Sequence, residues 1–150
     1  MILIEYPEPA FKTRVSAGKK EIFDACRKSW VRLTPEEWVR QNILNWLITK
    51  KGYPAAIISV EKEIWLGKIK KRFDVLIYNG DHQPWMMIEC KSQNVMLSED
   101  VLMQVLRYNM VVPVQYLVIT NGNNCFVAER ADGTASWLDN FPDYPKSVKN

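Results

Sequence analysis

Asp74, Glu89 and Lys91 are the residues of this chain whose types and spacing permit catalysis. Glu89 and Lys91 flank Cys90 in the apolar run PWMMIECKS, and residues two apart in a strand share a face. Met87 shares that face, while Met86, Ile88 and Cys90 take the other. A charge at the apolar end of a strand costs free energy unless it is paired, solvated or bound to an ion. Asp74 stands in a second apolar run, RFDVLIY, and the turn NGDHQ between the two predicts a hairpin-like reversal. Pairing of those strands brings Asp74 and Glu89 within reach of one divalent ion. Two carboxylates, the backbone carbonyl of Cys90 and water suit Mg²⁺, with Mn²⁺ as a substitute, because Mg²⁺ prefers oxygen ligands and keeps much of its hydration. Such an ion positions a water, lowers its pKa and stabilises charge on a reacting phosphoryl group. Lys91 then orients or deprotonates the water, or neutralises the scissile phosphate. The bland reading of the same three residues is a salt-bridge cluster at a strand end.

Other chemistries are poorly provided for. The single histidine, His82, lies in the turn NGDHQP, away from any nucleophile. Cys26, Cys90 and Cys125 are odd in number and widely separated, which argues against a disulfide framework or a CxxC zinc site. Six glycines are scattered, and none falls in a phosphate-loop spacing. No stretch has the length of a transmembrane helix and the N-terminus lacks the order of a signal peptide, so the cytoplasm is the expected location. The net charge of +3 is compatible with a nucleic-acid partner without requiring one.

The elements that must position the three residues follow from pattern. LTPEEWVRQNILNWLITKKGY predicts a helix: Thr34 is a good N-cap, Pro35 suits the first position, and Glu37 stands where a capping box needs it. Val39, Ile43, Leu44, Trp46, Leu47 and Ile48 form its apolar stripe, and Gly52 ends it. AAIISVEKEIWL, RFDVLIY and PWMMIECKS read as strands. Ser98 caps a second helix, EDVLMQVLRYNMVV, stopped at Pro113, and VQYLVIT and CFVAER are further strands. The segment 19–33 fits helix and strand alike. Residues 1–18 are expected as an aperiodic arm, and the tail from Ala131, with Pro142 and Pro145, as loop. The order helix, three strands, helix, two strands gives one α/β domain over 1–150, a central mixed β-sheet flanked by helices.

Asp74, fourteen intervening residues and then Glu-Cys-Lys, set on such strands, resemble the PD-(D/E)XK nuclease superfamily. More closely, LTPEEWVRQ, KRFDVLIYN, IECKS, QVLRYN and YLVITNG, in this order, resemble the N-terminal nuclease domain of type I restriction enzyme R subunits in a small stand-alone form. The resemblance covers about residues 22–129 and implies a restriction-endonuclease-like core of order αβββαβ. It implies Asp74 and Glu89 as metal-binding carboxylates and Lys91 as the catalytic lysine. A first-helix glutamate, Glu37 or Glu36, completes such sites; helical phase puts Glu37, with Gln41, at the edge of the apolar stripe and Glu36 nearer its centre, which favours Glu37. Gln104 and Tyr108 match a QxxxY element that borders the site and supports substrate or lysine. Phe73 stands where the superfamily motif has proline. DNA is the implied substrate, with a second copy or a restriction-system subunit as the implied partner. RNA stays open, because the metal chemistry is the same.

Each assignment has a plainer counterpart. Lys68, Lys70, Lys71 and Arg72 contact DNA phosphates, or they are a solvated hairpin edge. Glu36 and Glu37 complement the helix dipole. The tryptophans are mostly core or half-buried packing residues, with base stacking as the alternative. For the chain as a whole, a Mg²⁺-dependent endonuclease stands against a catalytically silent nuclease fold that binds DNA or protein.

Overall fold

In the computed structural model, which describes residues 1–8 and 10–145, the chain forms ten strands and two α-helices. They are β1 (Ile2–Leu3), β2 (Thr13–Ser16), β3 (Lys19–Asp24), β4 (Ser29–Arg32) and α1 (Pro35–Thr49), then β5 (Ile58–Leu66), β6 (Ile69–Tyr78) and β7 (Pro84–Cys90). After these come α2 (Glu99–Tyr108), β8 (Tyr116–Thr120), β9 (Asn124–Ala131) and β10 (Thr134–Trp137). The central sheet runs β1-β9-β8-β7-β6-β5, with β10 on the same edge of β9 as β1; only β7 and β8 are parallel. A parallel pair needs a crossover, and α2 supplies it. This is a mixed α/β architecture consistent with a restriction-endonuclease-like core.

Both helices start as their caps dictate. Thr34 Oγ1 accepts the Glu37 N–H at 3.0 Å, and Ser98 Oγ accepts the Val101 N–H at 3.3 Å. Caps of this kind are worth about 1 kcal/mol each. The sheet is apolar on both faces. Ile43 and Leu47 of α1 pack with Val75, Ile88 and Val118 on one face; Leu102 and Leu106 of α2 pack with Leu76, Met87 and Leu117 on the other. Each fully buried Leu or Ile contributes about 1.5–3 kcal/mol, so the two helices are held by these stripes more than by propensity.

One open reading is settled and three sequence expectations change. The segment 19–33 forms two strands, β3 and β4, which with β2 make a separate three-stranded antiparallel sheet. The arm expected over residues 1–18 is therefore partly strand: β2 belongs to that sheet, and β1 pairs with β9. The tail expected as loop contains β10, and its Phe141 packs into the core beside α1. The second helix ends at Tyr108 rather than running to Pro113, because Asn109 caps it, its side chain donating to the Val105 carbonyl at 2.8 Å. Residues 146–150 of the expected tail lie outside the described residues. No helix among the described residues is long and apolar enough to cross a membrane.

One irregularity positions the site. Val60 pairs Val75 and Lys62 pairs Phe73, with Glu61 and Asp74 between them and Glu61 in the left-handed region at φ 54°. Val60 and Val75 pack on the α1 face, yet Ile64 and Phe73, two or four residues away, pack on the α2 face. Strict alternation would keep all four on one face. The hairpin thus slips phase at Glu61 and Asp74.

Candidate functional site

Asp74 sits where β6 parts from β7. The ladder between them ends at the Val75–Ile88 pair, and beyond it Asp74 Oδ2 accepts the backbone N–H of Cys90 at 2.8 Å. The side chain replaces a missing ladder bond. Its Oδ1 lies 3.8 Å from Arg40 Nη1. Burial pushes the Asp74 carboxyl above its ordinary range; the Cys90 N–H and Arg40 oppose this, while the charges of Glu89 and Glu36 add to it. Like charges crowd this fork.

Glu89 and Lys91 pair at 3.3 Å, Oε1 to Nζ, as the shared strand face required. They line a cleft of about 300 Å³ together with Gln104 and Tyr108 of α2. The QxxxY element therefore does border the glutamate and the lysine. Asp74 lines a neighbouring cleft of about 310 Å³ on the α1 side, with Glu36, Glu37, Arg40, Glu61 and Cys90. The three sequence-predicted residues thus do not open into one cleft: Asp74 is tied to the Cys90 backbone from the α1 side, and Glu89 and Lys91, on either side of Cys90 in the chain, line the α2 cleft.

The first-helix glutamates exchange roles. Glu36 is exposed and Glu37 buried, the reverse of the helical-phase expectation. Both oxygens of Glu37 are occupied: Arg27 and Arg40 donate to Oε1, each at 2.6 Å, and Arg40 and Gln41 to Oε2 at 2.9 and 3.2 Å. Burial opposes its ionisation, but hydrogen bonds from Arg40 and Arg27 outweigh burial and hold the carboxyl at about 2. No lone pair is left for a metal in this arrangement, and Gln41 supports Glu37 instead of the fork. Glu36 is the helix carboxylate whose charge Asp74 feels.

The basic run divides in the same way. Lys71 is buried, 7% exposed, and donates to the Tyr108 carbonyl at 2.6 Å; it closes the C-terminus of α2 and does not face a nucleic acid. Lys70 pairs with Glu63 at 2.8 Å and Arg72 pairs with Glu61. Lys68 is exposed at the hairpin tip, with no acidic partner among the described residues.

Arg27 and Arg40 were not legible as site residues. Arg27 is turned inward by Asp24, a fully buried carboxylate that accepts the Cys26 and Arg27 N–H groups and the Arg27 side chain. The one sequence signal was Arg40, three residues beyond Glu37 on the same helix face.

Oxygen donors are present for a hard cation: the Asp74 carboxylate, the Glu89 carboxylate and the backbone carbonyl of Cys90 between them. Among the described residues no three of His, Cys, Asp and Glu gather tightly enough to hold a metal by themselves. A cation at the fork would accordingly rest on two carboxylates with backbone and water oxygens, a set that suits Mg²⁺ or Mn²⁺ better than zinc.

A family model described as "Type I restriction enzyme R protein N terminus (HSDR_N)" matches residues 35–142 of the 150-residue chain. The match opens at the first residue of α1 and takes in Asp74, Glu89, Lys91, Gln104 and Tyr108, but not the β2–β4 sheet that carries Arg27. No curated protein matches the chain.

Proposed function

This chain belongs to the type I restriction enzyme R protein N-terminal family, and on that premise we propose that it is a metal-dependent nuclease domain hydrolysing DNA phosphodiester bonds. The observation that carries the reading is the bond from Cys90 N–H to Asp74, which ties the aspartate to the residue between Glu89 and Lys91. Asp74, Glu89 and the Cys90 carbonyl would hold Mg²⁺, which supplies Lewis-acid stabilisation of charge on the phosphoryl oxygens when bound. Lys91, kept beside Glu89 at 3.3 Å, supplies an ammonium to the scissile phosphate. Gln104 and Tyr108 wall the cleft in which that ammonium stands and orient what enters it. Restriction-system subunits or a second copy are the partners this reading suggests, and the cytoplasm its location.

Nicking of supercoiled plasmid in Mg²⁺ or Mn²⁺ tests the proposal. Wild type nicks, and Lys91→Ala loses on the order of 100-fold in rate, the usual worth of one positioned proton-transfer or charge-neutralising group. Equal rates in the two proteins would remove the assignment.

A second reading, a catalytically silent nuclease fold that binds DNA or protein, is favoured by one contact. Arg40 already offers a positive charge 3.8 Å from Asp74, so the aspartate is partly compensated without a cation. That reading requires titration calorimetry with Mn²⁺ to register no site.

A further inference from the structure

The β5–β6 hairpin presents one tryptophan to solvent at its tip. Trp65 is 64% exposed and stands opposite Lys70 in the ladder, with Lys70 Nζ 5.8 Å from its ring centroid. A large ring left in water forgoes most of its hydrophobic gain, and among the exposed apolar residues Trp65 stands out by the lysine beside its ring. Its surroundings suggest a role. Lys71 and Phe73 turn inward to the α2 side, so the alternating positions Lys70 and Arg72 face outward, and the same row ends at Asp74. Lys70 lies four positions before Asp74 along the strand, about 13 Å at ~3.3 Å per residue. A row of exposed ion pairs, with Lys68 and an aromatic ring at its far end, therefore leads to the acidic fork.

We propose that this strip binds single-stranded nucleic acid, one base stacked on Trp65 and the backbone phosphates beside Lys68, Lys70 and Arg72. The inference rests on the nuclease reading for what lies at the end of the strip, and adds the strandedness of what enters. Stacking on a side chain needs a base whose face is free, which a duplex does not offer. The existing partners of Lys70 and Arg72, Glu63 and Glu61, are no obstacle, because exposed ion pairs are weakly held and a phosphate can take either cation. A protein partner is a poorer fit. The ring's neighbours on its own face are Glu63, Lys70 and Arg72, so a hydrophobic hot spot would lack the apolar surround that excludes water.

Fluorescence anisotropy with a labelled oligothymidylate, using the full chain in EDTA, tests the proposal without any hydrolysis. Trp65→Ala is expected to weaken binding about tenfold, the worth of one stacked base. Trp65→Phe, which keeps a smaller ring, restores most of the loss. The double variant Lys68→Ala with Lys70→Ala lowers the slope of log Kd against log salt. Unchanged circular dichroism shows that the exposed substitutions leave the fold intact. The proposal is overturned if Trp65→Ala binds the oligomer as wild type does, if wild type fails to bind it, or if duplex binds more tightly than single strand. Binding through Trp65 in a protein that never nicks plasmid would keep this inference and remove the nuclease reading; Lys91-dependent nicking with Trp65-independent binding would do the reverse.

Discussion

Glu37 and Arg40, one turn apart on α1, are joined twice, Oε2 to Nε at 2.9 Å and Oε1 to Nη2 at 2.6 Å. The paired geometry is what a planar guanidinium offers a carboxylate. Both side chains are almost wholly buried, so neither charge has water to fall back on. Arg40 then reaches Glu61 at 3.2 Å and stands 3.8 Å from Asp74, which makes the pair the foundation on which the α1 side of the fork is built.

A pH dependence follows from Glu37. Burial raises its pKa, but the two arginines dominate and hold it at about 2 against 4.5 for a free glutamate. A depressed folded pKa contributes stability that is complete above the unfolded value and is lost as pH falls through the folded one. The window is therefore pH 4.5 down to about 2, with a total on the order of 3 kcal/mol. Asp74 acts with the opposite sign: its raised pKa means that protonation relieves strain and offsets part of the loss. Urea midpoints across this range should fall in wild type and stay flatter in Glu37→Gln, which starts about 3 kcal/mol lower because it leaves the buried Arg40 and the half-buried Arg27 short of a partner.

Metal affinity separates the carboxylates. Asp74→Asn or Glu89→Gln should abolish Mn²⁺ binding in calorimetry. Glu37→Gln, measured where it is folded, should leave the site in place, because both oxygens of Glu37 already serve Arg27, Arg40 and Gln41. Glu36→Gln should weaken binding about tenfold, as a supporting group does, since it is the helix glutamate whose charge reaches Asp74. Loss of Mn²⁺ binding in Glu37→Gln alone would return the role to the buried residue.

Lys71 gives a prediction that divides structure from substrate contact. Its ammonium donates to the Tyr108 carbonyl at 2.6 Å and lies 3.7 Å from the centroid of the Tyr108 ring. Lys71→Met should cost about 2 kcal/mol, the worth of a charge-assisted bond to a helix end, and loosen the turn that holds Tyr108 over Glu89 and Lys91. The salt slope of nucleic-acid binding should not change, whereas a phosphate contact would lower it by about one.

What could be read from the chain depended on how local its cause was. Thr34, Pro35 and Ser98 announce their helices because a cap is written within four residues. β6 and β7 announce themselves through apolar runs, and the spacing of Glu89 and Lys91 gave their shared face directly. β1 and β10 are two and four residues long and exist through their bonds to β9, so no pattern of their own could show them. KKEIFD and SWVR were ambiguous because their strands lie in a sheet that is mostly exposed and has little apolar alternation. The split between two clefts was hidden for another reason. It comes from a phase slip at Asp74 and a left-handed Glu61, a residue type that gives no hint of positive φ.

The tail provides the last prediction, and its outcome is separable from the chemistry. Phe141 is buried edge-on against Trp46 at 5.0 Å between centroids and also packs on Tyr53, whose hydroxyl donates to the Pro142 carbonyl. Tyr144 closes the far side by donating to the carbonyl of Tyr78, the last residue of the run that carries Asp74, at 2.9 Å. A stretch that its prolines made look like loop thus seals the α1 face of the core. Truncation of that ring should cost what an emptied aromatic cavity costs: Phe141→Ala loses about 3–5 kcal/mol, which for a chain of this size lowers Tm by on the order of 10 °C. Val111→Ala, at an exposed position, should leave Tm unchanged. Because Phe141 touches neither cleft, any plasmid nicking measured well below the lowered Tm should match wild type. A Phe141→Ala protein with unaltered Tm would show that the tail lies over the core without stabilising it.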